Sequence, residues 1–207
     1  MTADDAVAVI AGLFASEGAA EYLGEPVSQA AHMLQAAVLA EREQAGEALI
    51  AAALMHDVGH FAGTLSLFPP LVSGSEHAGR PGEDEKGSPS GRDLMRGTDN
   101  RHAESGASWL ARWFGEEVTE PVRLHVAAKR YLCATEPGYA AVLSPASVYT
   151  LRVQGGPMQG AELTEFEANR YSAAAIRVRR WDDAAKDPRA RVPPFGHFAS
   201  VLRALAR

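Results

Sequence analysis

His56 and Asp57 close an apolar run, Ala-Ala-Leu-Met-His-Asp-Val-Gly-His, and no other stretch constrains the fold as strongly. An imidazole and a carboxylate side by side at the end of an apolar helix can hand a nitrogen and an oxygen to a metal at once, although one such pair by itself proves little. The carboxylate has two oxygens, so Asp57 is able to bridge two ions. His32 lies upstream, His102 and His125 downstream, and Asp182 further on. Imidazole and carboxylate without thiolate suit iron, manganese or zinc in a catalytic site, and not a structural zinc site.

The apolar residues around this set recur at helical spacing. Val7, Ile10, Leu13 and Phe14 form one stripe, Met33, Leu34, Ala37, Val38 and Ala40 a second, and Leu49, Ile50, Ala53 and Leu54 a third. No stretch alternates as a strand would. Thr2 and Ser28 are start signals for the first two helices, while Thr119-Glu120-Pro121 and Ser144-Pro145 each place proline in a first turn. The spacing therefore predicts an all-α helical bundle. At 207 residues the chain is expected to form one domain over 1–207, large enough to bury a rigid site. From Phe61 to Arg101 the periodicity breaks into Pro-, Gly- and Ser-rich sequence, which predicts a long loop or lid at about 61–101. A second break falls at Gln154-Gly-Gly-Pro-Met158, and Val192-Pro-Pro is expected to end the last ligand-bearing helix ahead of a short C-terminal helix from about Gly196.

A formal charge of −6 argues against nucleic acid or an anionic membrane as partner, and small-molecule chemistry fits better. The first twenty residues lack both a basic start and a long apolar stretch, and Cys133 is the only cysteine, so the expectation is a cytoplasmic protein without a disulfide framework. Oligomeric state is not legible. If the helix through His56 continues, His56 and His60 share one face, as do His125 and Lys129 on a helix starting near Pro121. By composition alone Lys129 reads as surface charge and Ser147 as an ordinary helix residue.

Beyond the ligand candidates, Tyr22-Leu-Gly-Glu25, Gln29-Ala-Ala-His32, His56-Asp57-Val-Gly-His60, His125-Val-Ala-Ala-Lys129, Gln154-Gly-Gly-Pro-Met158 and Arg180-Trp181-Asp182 occur in one order. In this the chain resembles the HD-domain mixed-valence diiron oxygenases that break carbon–phosphorus bonds, and the likeness runs from Tyr22 to Asp182. The resemblance implies an HD-domain bundle with a dinuclear metal site in its core, two iron ions as an Fe(II)/Fe(III) pair, and O2 as co-substrate. One iron would take His32, His56, Asp57 and Asp182, and the other Asp57, His102 and His125. His102 is preferred to His77 because Gly106 and Trp109-Leu110 follow it as in the family's ligand helix. Asp182 is preferred to Asp183 because the ligand directly follows tryptophan, which leaves Asp183 to solvent or to Lys186.

The same resemblance gives Tyr22, His60 and Lys129 catalytic roles and makes Glu25, Gln29, His60, Lys129 and Ser147 substrate-binding. The implied substrate is a 1-hydroxyalkylphosphonate with an amino or trimethylammonio group on C2, whose cation would meet Glu25. The implied products are phosphate and a carboxylic acid. A metal-dependent phosphohydrolase of the HD type is the alternative, disfavoured because hydrolysis has no evident need for Tyr22, Glu25 and the His125–Lys129 pair together.

Overall fold

The computed structural model describes residues 2–16, 25–61 and 102–207. Tyr22, His77 and the segment expected as a lid, apart from Phe61, lie outside the described residues. Nine α-helices and three short 3-10 turns make up the described regular structure, with no strand among them.

The helices begin where the start signals stand. Helix α1 (Ala3–Phe14) opens on a capping box, with Asp5 N–H donating to Thr2 Oγ1 and Thr2 N–H to Asp5 Oδ2. Helix α2 (Gln29–Arg42) is capped by Ser28, whose hydroxyl accepts from Ala31 N–H. Helix α3 (Glu47–Met55) is apolar on all sides and buries Ile50 through Met55. It stops one residue before His56, and a 3-10 turn at Val58–Phe61 follows. The helix that would carry His56 and His60 on one face therefore does not continue, and the tighter turn brings His60 against His102 instead.

Helix α4 (His102–Leu110) leads into the longest helix, α5 (Glu116–Thr135). The sequence places the start of α5 near Pro121, yet the helix begins five residues earlier and holds Pro121 in its second turn. Proline there removes one donor, but Gly115 carbonyl already accepts from Val118 and Thr119, so the first turn forms without it. Helix α6 (Pro145–Val153) starts at the Ser144 cap and ends at Gln154, where Gly155 and Gly156 take φ values of 95° and 72° that a side chain would resist. Helix α7 (Ala161–Ala168) follows. Helix α8 (Ser172–Ala184) carries Asp182 and ends eight residues before Val192-Pro-Pro, not at it. A 3-10 turn at Phe195–Phe198 then leads into α9 (Ala199–Leu205).

Helices α2, α3, α5 and α8 pack against one another, and α4 lies on α5 and on the Val58–Phe61 turn. The main core runs through Ile10, Leu13, Met33, Leu54, Leu110, Trp113, Phe198 and Leu202. A smaller cluster, Leu124, Ala128, Met158, Phe166 and Ala175, ties α5 to the Gly155-Gly156 turn, α7 and α8. None of the described helices is long and apolar enough to cross a membrane.

One close approach sets the position of α4. A Cβ on Gly59 would fall 1.9 Å from the carbonyl oxygen of His102, and a Cβ on Gly106 would fall 3.0 Å from Gly59 nitrogen. The glycine of His-Asp-Val-Gly-His is thus the surface on which the first turn of α4 rests. Gly59→Ala should force α4 outward, at a cost of about 1–3 kcal/mol of stability. Thermal unfolding of the variant should show a Tm lowered by roughly 2–4 °C per kcal/mol, and His102 should be the ligand whose site is disturbed.

Candidate metal centre

Four helices and one turn deliver six side chains to the centre of the bundle. His32 comes from the first turn of α2, His56 and Asp57 from the end of α3, His102 from the first residue of α4, His125 from the middle of α5 and Asp182 from the last turn of α8. All six are buried. They form two triads, His32–His56–Asp182 and Asp57–His102–His125, each able to hold a metal ion.

Asp57 faces both. Its Oδ2 lies 3.6 Å from His32 Nε2 and 3.6 Å from His56 Nε2. Its Oδ1 lies 3.5 Å from both His102 Nε2 and His125 Nε2. Asp182 Oδ1 completes the first group at 3.3 Å from His32 and 3.8 Å from His56.

Hydrogen bonding to backbone carbonyls decides what these nitrogens present. His32 Nδ1 is 2.9 Å from Ala185 carbonyl, His56 Nδ1 is 2.8 Å from Ala53 carbonyl, and His125 Nδ1 is 2.7 Å from Val122 carbonyl. A carbonyl only accepts, so each Nδ1 carries the proton and a neutral ring turns its Nε2 lone pair inward. The Nε2 atoms of His32 and His56 nevertheless approach to 3.0 Å, and those of His102 and His125 to 3.2 Å. Lone pairs at that distance repel unless a cation lies between them. The donor set fits two divalent or trivalent ions of the iron, manganese or zinc kind.

The electrostatics of the protein groups point the same way. Burial pushes His56 down to about 4, so its ring is neutral at ordinary pH. Burial opposes ionisation of Asp57, yet His56, His60, His125 and His102 outweigh it and hold the carboxyl well below its usual range. Burial opposes ionisation of Asp182 as well, and the Arg179 guanidinium outweighs it. For His32 burial opposes protonation, but Asp182 and Asp57 raise it above the ordinary histidine value. Two carboxylates held in their ionised form therefore face the four imidazoles, and a carboxylate must be ionised to hold a metal.

The surrounding shell contains residues picked out in the sequence and others that were not. Gln29 Nε2 donates to Asp57 Oδ2 at 3.1 Å, so it orients the shared carboxylate. His60 is exposed, stacks on His102 with ring centroids 4.1 Å apart, and brings Nε2 to 3.7 Å from Asp57 Oδ1. Lys129, one turn beyond His125, is not surface charge: it is 2% exposed and donates to Thr150 Oγ1 at 2.8 Å. Ser147 is buried, and its hydroxyl accepts from Lys186 Nζ at 3.2 Å and from Arg179 Nη2 at 3.5 Å.

Arg179 and Tyr139 were not singled out in the sequence, and Ser144 and Lys186 were read there only as a helix start and a possible partner of Asp183. Arg179 Nη1 donates to Asp182 Oδ2 at 2.6 Å, and the same guanidinium pairs with Asp183 and reaches Tyr139 hydroxyl at 3.1 Å. Asp183 is therefore held by Arg179 and Tyr139, while Lys186, expected as its partner, pairs with Glu25 at 2.7 Å. Arginine three and four residues before the two aspartates on one helix was the available signal; nothing local joins Glu25 to Lys186. His197 pairs with Glu41 at 3.0 Å, away from the site.

If Asp57 is shared as drawn, its removal and that of Asp182 must differ. Metal analysis of the purified protein should find close to two ions per chain, Asp57→Ala should lose both, and Asp182→Ala should lose one and retain the ion at His102 and His125. Equal loss from the two variants would mean that the sites are not bridged through Asp57.

No family model matches the chain. It is 40% identical over 198 residues to the 1-hydroxy-2-(trimethylamino)ethylphosphonate dioxygenase (glycine-betaine-forming) of Leisingera caerulea, covering 95% of this chain and 88% of that protein. It is also 40% identical over 177 residues to the hydroxymethylphosphonate dioxygenase of Gimesia maris, covering 86% of this chain and 77% of that protein. An uncharacterised protein of Acanthamoeba polyphaga mimivirus is 28% identical over 196 residues. With two such relatives aligned over most of its length and most of theirs, the chain belongs to the family of the phosphonate dioxygenases.

Proposed function

We propose that this protein is a diiron oxygenase that uses O2 to cleave the carbon–phosphorus bond of a 1-hydroxyalkylphosphonate, on an HD-type helical domain. The observation that carries the reading is the pair of buried triads with Asp57 between them, one carboxylate oxygen toward each, set beside a buried lysine. The balance is closed: R–CH(OH)–PO3H2 and O2 give R–COOH and H3PO4, with the carbon oxidised and both oxygen atoms of O2 retained in the products. His32, His56, Asp57 and Asp182 would hold one iron, and Asp57, His102 and His125 the other. The iron pair, when bound, supplies the one-electron steps that reaction of O2 with a closed-shell substrate needs.

The protein's own part is positioning and charge neutralisation. Lys129 and the Ser147 hydroxyl provide a cation and a donor for the phosphonate oxygens, and their burial keeps water from competing for them. His60, at the exposed edge of the Asp57–His102–His125 triad, offers Nε2 to the substrate hydroxyl. Gln29 keeps Asp57 in its shared orientation and is close enough to meet substrate from the same side chain. Tyr22 is assigned, by family resemblance, a position on an iron that substrate displaces. Glu25 faces the tail of the substrate. The two relatives of equal identity act on substrates that differ in that tail, one trimethylamino-substituted and the other hydroxymethylphosphonate.

The test is aerobic turnover of the iron-loaded protein with a panel of 1-hydroxyphosphonates, following phosphate release and O2 uptake together. One O2 consumed per phosphate is expected; phosphate release that continues without O2 would instead identify a hydrolase. Lys129→Ala should weaken phosphonate binding by about 10- to 100-fold, the loss of one charge-assisted contact worth roughly 1.5–3 kcal/mol, while leaving iron content nearly constant.

A further inference from the structure

Glu25, given the substrate's tail in the reading above, already has an ammonium of its own. Lys186 Nζ lies 2.7 Å from Glu25 Oε1, 3.2 Å from Ser144 Oγ and 3.2 Å from Ser147 Oγ. The Ser144 hydroxyl donates to the same Glu25 oxygen at 2.5 Å while accepting from Ser147 N–H as the cap of α6. Both side chains are sheltered, Glu25 at 6% and Lys186 at 13% exposure. This is a partly desolvated pair with matched hydrogen bonds, unlike a surface ion pair that water can replace.

The backbone holds Lys186 there from both sides. Ala185 carbonyl accepts from His32 Nδ1, and Asp187 is clasped by Gln35, which donates to its carbonyl at 3.0 Å and accepts from its N–H at 3.1 Å. The lysine thus stands between two fixed points at the end of the ligand-bearing helix α8. Its ammonium joins Glu25 to Ser147, and through Ser147 and Arg179 to the ligand Asp182.

We propose that Lys186 is a specificity-determining residue: its ammonium fills the cation seat at Glu25, so the protein selects 1-hydroxyalkylphosphonates with an uncharged tail over those carrying an ammonium. The inference rests on the hydroxyalkylphosphonate reading above and revises the cationic tail expected from sequence. A substrate ammonium brought to Glu25 would have to displace Lys186 or lie beside it as a like charge, and either is a cost that an uncharged tail avoids.

The experiment compares hydroxymethylphosphonate with the 2-amino- and 2-trimethylammonio-1-hydroxyethylphosphonates as substrates of the iron-loaded protein. The unaltered protein should favour the uncharged substrate in kcat/KM by about tenfold or more. Lys186→Met, which exposes the Glu25 charge, should move the ratio toward the cationic substrates by about tenfold, and Lys186→Arg should keep the original ratio. A tenfold preference of the unaltered protein for either cationic substrate overturns the proposal without any variant being needed. So does a ratio that Lys186→Met leaves unmoved. If none of the three compounds releases phosphate, the oxygenase reading fails, and calorimetric binding of the same compounds to the same proteins decides the role of Lys186 by the same two ratios.

Discussion

The rest of the structure is arranged around one shared carboxylate. Asp57 turns Oδ2 toward His32 and His56 and Oδ1 toward His102 and His125, at 3.5–3.6 Å in each case. A carboxylate with four imidazoles around it, all buried, is a poor use of a protein core unless cations fill the gaps. That cost explains why the ligands come from α2, α3, α4, α5 and α8 and not from one hairpin. Each helix contributes a rigid piece of the cage, and the apolar residues that bind the helices to one another also fix the ligands. Metal binding and folding are consequently linked, because ions between facing lone pairs stabilise the only arrangement in which those lone pairs meet.

Helix ends do much of the work. His32 uses Ala185 carbonyl for its Nδ1 proton and His56 uses Ala53 carbonyl one turn back on α3, a group freed where that helix stops, whereas His125 uses Val122 carbonyl within α5. Ala185 carbonyl is free for His32 because α8 ends at Ala184, well short of the prolines at 193 and 194. Had α8 run on to those prolines, this carbonyl would have been spent inside the helix. The early stop of α3 acts similarly: the 3-10 turn after Asp57 lets Gly59 pass under α4 and places His60 at the rim.

Much of this was legible because the relevant signals are local. Helix starts at Thr2, Ser28 and Ser144 were readable from residue type alone, since a hydroxyl three residues before an amide is a complete capping unit. The six ligands were readable as a set because their residue types share one chemistry and a family order. Two helix boundaries were misread because proline marks where a helix is disfavoured, not where it ends: Pro121 sits inside α5, and α8 stops before any proline is reached. The burial of Lys129 was invisible to composition, because its partner Thr150 comes from a separate helix, α6, 21 positions on. The Glu25–Lys186 pair bridges 161 positions, and no spacing rule reaches that far.

Adjacent Asp182 and Asp183 show how one helix turn separates two identical side chains by environment. Both meet Arg179, yet Asp182 spends Oδ1 on the His32–His56 triad while Asp183 turns to Tyr139. Arg179 and the histidines keep Asp182 well below the usual carboxylate range, and burial raises Asp183 above it. Burial also pushes the Tyr139 hydroxyl well above its ordinary value, so it keeps its proton and donates to Asp183. The guanidinium thus has two acceptors of unequal character: one is a carboxylate that also faces the His32–His56 pair, and the other is shared with Tyr139. Asp183, one position on, points about 100° further round the helix, given ~3.6 residues per turn, and so faces Tyr139 and not the two histidines. Sequence position, not residue type, makes one of them a ligand.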